Sequence, residues 1–257
     1  MPYPRRWGDV NGPLRFARYA YPPNELGYCG PDAASQLLEQ VGAGVADGDL
    51  RRLLRGFEGA WPYLELIAAA NGIGDPLDDR VVSAYWVGSP LLDRVGPRLL
   101  ADSLEDRFRP RAGRSFADLV APVPAGAVPH HSFHVFGVYP WLGLLREGRL
   151  GEPLRALDRC RIRWGQVQSV DGREAVVRCR PLVWDGRRLA LGPPVDEPAT
   201  VGVHHGGLRP GAWCSLHWDW VCEELDASAL ARLRHYTLGQ LAVVNGVRVP
   251  APATVLS

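Results

Sequence analysis

The sequence predicts an α+β protein: a helical amino-terminal half, then a small antiparallel, OB-like barrel, then a carboxy-terminal helix. Three observations predict it. Apolar residues recur at helical spacing over the first 155 or so residues, the period falls to 2 near Asp158, and helical spacing returns after Asp226. These shifts divide the chain into a helical domain (1–155), a barrel with its helix (156–245) and a tail (246–257).

The elements follow in order. Residues 32–41 (DAASQLLEQV) put Ala33, Ala34, Leu37, Leu38 and Val41 at helical spacing, with Pro31 at the start and Gly42 past the end. The pattern repeats over 49–57, 61–70, 77–86 and 96–108, separated by Gly, Pro and Asn-Gly breaks. Residues 109–130 carry Pro110, Pro122, Pro124 and Pro129 and predict a long surface loop, followed by a last helix over 142–149. Ile162, Trp164 and Val167, then Asp171-Gly172, then Ala175, Val177 and Cys179 read as strand, hairpin turn and strand. Further strands are predicted at 182–184, 189–191, 200–203 and 212–222, with turns at Asp185-Gly186 and Arg209-Pro210-Gly211; short strands at this spacing make a small barrel. Asp226 caps a helix over 226–241, and 247–257 is a proline-containing tail.

Composition narrows the function. The 257 residues are 46% hydrophobic and 22% charged, enough to bury a core, and a net charge of +1 gives no footprint for nucleic acid or an anionic membrane. All basic residues are Arg, which excludes a lysine Schiff base and a P-loop lysine. The longest nearly apolar run, 133–145, is broken by His134 and Pro140 and is too short to span a bilayer. The opening MPYPRRWGDVNGPLRF lacks the apolar run of an export signal, so a cytoplasmic location is expected. Five cysteines in a reducing compartment argue against a disulfide framework, and the absence of any Cys-x-x-Cys excludes a zinc ribbon.

Two regions carry candidate chemistry. In Gly27-Tyr28-Cys29-Gly30-Pro31-Asp32 the thiol stands just before a predicted helix, where free amides and the dipole would lower its pKa. In Pro129-His130-His131-Ser132-Phe133-His134 three imidazoles fall within five positions and could supply metal ligands, or a general base for Cys29. GYCGP loosely resembles the start of the nucleophile helix of papain-like cysteine peptidases. That resemblance implies a hydrolase or acyltransferase with Cys29 as nucleophile and His131, or His134 opening a strand, as base. His204-His205-Gly206-Gly207 reads as a solvated turn; Cys179, Cys214 and Cys222 read as core; Trp213, Trp218 and Trp220 read as alternating along one strand.

The second region is Cys160-Arg161-Ile162-Arg163-Trp164-Gly165-Gln166-Val167 with Arg209-Pro210-Gly211-Ala212-Trp213-Cys214-Ser215-Leu216-His217-Trp218-Asp219-Trp220-Val221. These segments, in this order, resemble the opening strand and the Pro-Gly…Val-His strand of the HypC/HupF-type hydrogenase assembly chaperones, and Glu224-Leu225-Asp226 resembles their strand-to-helix junction. The resemblance covers about 80 to 90 residues, the size of such a chaperone. It implies a carrier of an iron centre bearing cyanide and carbonyl ligands, held through Cys160 with His217 nearby, whose partners are a [NiFe]-hydrogenase large-subunit precursor and other maturation proteins. Thiolate and imidazole suit such an electron-rich centre. This sequence departs from the family in having Cys160 internal, Trp164 where the family has Pro, and a longer stretch over 181–207. The first reading is therefore a hydrogenase maturation protein, with Cys160 and His217 as metal ligands and Cys29, His130, His131 and His134 as further candidates around one cleft. The alternatives are the Cys29 enzyme and an interaction protein without chemistry.

Overall fold

The computed structural model describes residues 11–112, 116–202 and 207–246, and within them the protein is α+β. The His204-His205 turn and the 247–257 tail lie outside the described residues. The helices of the first half are α1 (Gly12–Glu25), α2 (Ala34–Ala43), α3 (Gly48–Arg55), α4 (Trp61–Ala70), α5 (Asp79–Trp86), α6 (Pro97–Ala112), α7 (Phe116–Val120), α8 (His131–Phe133), α9 (Trp141–Arg146) and α10 (Glu152–Cys160). Helix α8 runs on into a π-helical turn, His134–Val138.

Helix α1 has no counterpart in the predicted elements, because Pro13, Pro22 and Pro23 read as breakers and its residues are buried nearly all round. Pro13 lies in the first turn, where a missing N–H costs nothing, and the Asn11 side chain accepts from Leu14 N at 3.2 Å. The two later prolines remove the amides that would bond the carbonyls of Arg18 and Tyr19. Both carbonyls are satisfied from the barrel instead: Cys222 Sγ donates to Arg18 O at 3.9 Å and His217 Nδ1 to Tyr19 O at 2.5 Å.

The predicted 109–130 loop is corrected. Helix α6 continues through Ala112, α7 follows, and Leu119, Pro122, Val123, Ala127, Pro129 and His130 are buried. Pro122 and Pro129 are buried in the turns that follow α7, while Pro124 is exposed.

Strands β1 (Arg163–Asp171), β2 (Glu174–Cys179), β5 (Val195–Val201), β6 (Trp213–His217) and β7 (Trp220–Leu225) close a barrel in the order β1-β2-β5-β7-β6, while β3 (Leu182–Trp184) and β4 (Leu189–Leu191) form a separate hairpin. Gly172, at φ 58°, turns the β1–β2 hairpin as its Asp-Gly pair predicts. Four seams are antiparallel; the seam that joins β5 to β7, Thr200 opposite Trp220, is parallel. The single predicted strand over 212–222 is two strands. Trp218, with φ 52° the only described non-glycine residue at positive φ, makes the turn between them. Trp218 therefore leaves the alternation with Trp213 and Trp220.

Helix α11 (Ala227–Gly246) follows β7, opened by Asp226 Oδ1 accepting from Ala229 N at 2.7 Å. One apolar core runs from Phe16, Tyr63 and Trp86 of the helical half to Ile162, Trp164 and Leu225 of the barrel and Leu233 of α11. A second fills the barrel interior with Val167, Val177, Ala199, Cys214, Leu216 and Val221. No helix among the described residues is long and apolar enough to cross a membrane.

Candidate metal centre

The two halves meet around a cavity of about 270 Å³. Cys160 reaches it from the last residue of α10, not from the opening strand that the HypC/HupF-like resemblance implies. Arg161, Ile162 and Arg163 alternate in polarity, but the strand begins only at Arg163. His217 reaches the cavity from the end of β6, and His131 from the start of α8. The ligand atoms of His131, Cys160 and His217 lie within 4.8 Å of one another, and all three residues are buried.

Buried ion pairs lock this geometry. Arg161 donates to Asp158 at 2.8 Å and to the Arg180 carbonyl at 2.7 Å, fixing the turn after Cys160. Arg163, 1% exposed, donates to Trp218 O at 2.6 Å and Asp219 at 3.1 Å and pairs with Glu197. Arg159 reaches the same Asp219 at 2.6 Å, and its carbonyl accepts from Trp218 N at 2.7 Å. Arg159 and Arg163 thus tie the chain around Cys160 to the turn that follows His217.

The imidazoles are neutral. Burial holds His217 well below its usual pKa and lowers His131 to about 4. Tyr19 O can only accept, so His217 carries its proton on Nδ1 and its lone pair on Nε2, a buried atom without a hydrogen-bond partner. An imidazole fixed through Nδ1–H to a backbone carbonyl, with Nε2 free, is the arrangement of a metal-ligating histidine. His131 is more engaged: Nε2–H donates to Cys160 O at 2.8 Å and Nδ1 accepts from Tyr85 OH at 3.2 Å. It joins a metal only by releasing one of these bonds. Burial pushes the Cys160 thiol up, so metal binding there displaces a proton.

The amino-terminal candidates divide. Cys29 and His134 line the same cavity, whereas His130 does not: its ring stacks on Tyr236 and its Nδ1 accepts from Ser132 N at 3.2 Å. His134 lies in the π-helical turn rather than opening a strand, and its Nδ1 meets Tyr63 OH at 3.2 Å. The expected helix-end thiolate is corrected. Helix α2 begins at Ala34, several residues beyond Cys29, and burial pushes the Cys29 thiol up to about 12 instead of down. Two groups that shape the site were not among the sequence candidates: the Tyr19 carbonyl, whose signal was the Pro22-Pro23 pair, and Trp218, whose ring stacks on Tyr28 at 4.3 Å.

A family model matches residues 8–251, nearly the whole chain. The chain belongs to DUF6390, a family of unknown function. No curated protein and no solved structure matches it. What this DUF6390 chain offers is one soft sulfur ligand and two imidazoles converging in a mostly apolar cavity walled by Phe57, Tyr85, Trp86, Tyr139 and Trp141. Such a donor set fits a thiophilic first-row metal, and the aromatic walls give it a mostly apolar surrounding.

Proposed function

We propose that this protein is a cytoplasmic accessory factor of [NiFe]-hydrogenase maturation that carries an iron centre as cargo. One observation carries the reading. The Cys and His singled out by the HypC/HupF-like motifs, far apart in sequence, meet at bonding range of a single metal, and the His has its free nitrogen buried without a partner. Cys160 supplies the thiolate and His217 the imidazole. His131 reinforces them from the helical half, which gives that half a part in holding the cargo. Because the cavity is larger than a bare ion, it has room for a metal that brings small ligands of its own, as cyanide and carbonyl are. The acceptor is a hydrogenase large-subunit precursor.

The test is protein isolated anaerobically from its native host. Bound iron with infrared bands of cyanide and carbonyl is expected, and Cys160→Ala should remove both and abolish hydrogenase maturation while the protein still folds. Normal hydrogenase activity in that variant rejects the carrier reading. The Cys29 hydrolase gains less from the geometry: Cys29, His131 and His134 share a cavity, but the thiol is held protonated and both imidazoles bond tyrosine hydroxyls.

A further inference from the structure

Cys29 is the second thiol of the cavity, and it sits differently from Cys160. It lies outside the tight group of three ligands, on the loop joining α1 to α2, and is half-buried where Cys160 is buried. Its neighbour Tyr28 is 42% exposed, stacks on Trp218 and donates to Glu152 at 3.1 Å, so this loop forms the cavity's outer wall. The loop is built rather than slack. Asn24 Nδ2 donates to the carbonyls of Cys29 at 2.8 Å and Pro31 at 2.6 Å. Gly30 stands at φ 81° against Phe57, where a Cβ would fall 2.3 Å from the ring, so only glycine lets the chain turn there. The backbone at Cys29 is thus pinned, with its side chain on the cavity wall.

Resting on the cargo reading, we propose that Cys29 is a relay thiol, taking the metal from Cys160 on its way out and handing it to Cys160 on its way in. In the outward step the metal–sulfur bond to Cys29 forms as the bond to Cys160 breaks, and the Cys29 proton passes to the Cys160 sulfur. No electrons are transferred and the charge of the site is unchanged. The unpartnered Nε2 of buried His217 provides the ligand that stays attached during the exchange. Cys29 and Cys160 line the same cavity, which has room for more than a bare ion.

A relay changes rates in both directions without changing the equilibrium, which separates it from a ligand and from a packing role. The full chain is loaded anaerobically with cobalt(II) alone, and thiolate-to-cobalt absorption is followed during uptake and during a chase with a chelator. Cys29→Ser and Cys29→Ala are expected to bind the same amount at the parent affinity, with uptake and release both slowed by about tenfold or more. Parent rates in both variants, or loss of loading in both, overturn the relay. Cys160→Ser is expected to lose the absorption and weaken binding by about 10- to 100-fold. If Cys160→Ser loads like the parent, the cargo reading itself fails, whatever Cys29 does.

Discussion

The orientation of His217 depends on a residue that never touches a metal. Pro23 has no N–H to give the Tyr19 carbonyl, and His217 Nδ1–H takes its place at 2.5 Å. In Pro23→Ala the restored amide competes for that carbonyl, so the helix should be no less stable while the imidazole loses its fixed tautomer. Cobalt(II) affinity is expected to fall by about 10- to 100-fold with an unchanged or raised melting temperature. Undiminished affinity would show that the carbonyl does not orient the ring. Cys29 gives a pH prediction: with the thiol pushed up to about 12, alkylation by iodoacetamide at pH 8 should run at least about 100-fold slower than for a free thiol, and rise with pH far beyond the ordinary thiol range. Fast labelling at pH 8 would restore Cys29 as a nucleophile. At this scale Cys160 and His217 were legible because a motif marked them. The Pro22-Pro23 pair was not, because its meaning lies in carbonyls that another part of the chain satisfies.

At the scale of elements, the hairpins were legible wherever a turn residue made a conformational demand. Asp171-Gly172 and Asp185-Gly186 both turn at positive φ, and Asp185 accepts from the amides of Arg187 and Arg188 at 2.8 and 2.7 Å. The break at Trp218 was hidden because a large aromatic residue at positive φ has no sequence signal; burial and its stack on Tyr28 hold it there. The junction of α10 and β1 misled for another reason: Arg161 and Arg163 look solvent-facing in a period-2 pattern, yet both are 1% exposed. Arg161 is the chief partner of Asp158, itself only 6% exposed. Arg161→Ala should therefore destabilise the protein by about 3 to 5 kcal/mol in urea denaturation, because it strands a buried carboxylate. Replacing the pair together, Asp158→Asn with Arg161→Met, should recover much of that loss. A cost below about 1 kcal/mol for the single change would mean that water reaches Asp158 and that the junction is not locked by this pair.

For the whole molecule, the shift of period near Asp158 separates two styles of secondary structure, but the packing ignores it. The main core continues from Tyr63 and Trp86 through Ile162 and Trp164 to Leu225 and Leu233, and the candidate ligands come from both sides: His131 and Cys160 from helices α8 and α10, His217 from barrel strand β6. Periodicity reports local faces and is blind to which faces meet, so this union could not be read from the chain. It has a thermodynamic consequence. Removing either half would expose the shared core, so the halves should unfold in one transition, with tryptophan fluorescence and far-ultraviolet circular dichroism giving the same midpoint. A metal bridging His131 to Cys160 and His217 binds only when both halves are folded together, and it should stabilise that single transition by about 2.7 kcal/mol at a free concentration of 100 times Kd. Cobalt(II) should therefore raise both midpoints together in the parent and raise neither in Cys160→Ser. His131→Ala should keep the two signals coincident but gain less from the metal. If cobalt instead moves only the fluorescence transition and leaves the helical signal behind, the metal belongs to the barrel alone, and the helical half takes no part in holding it.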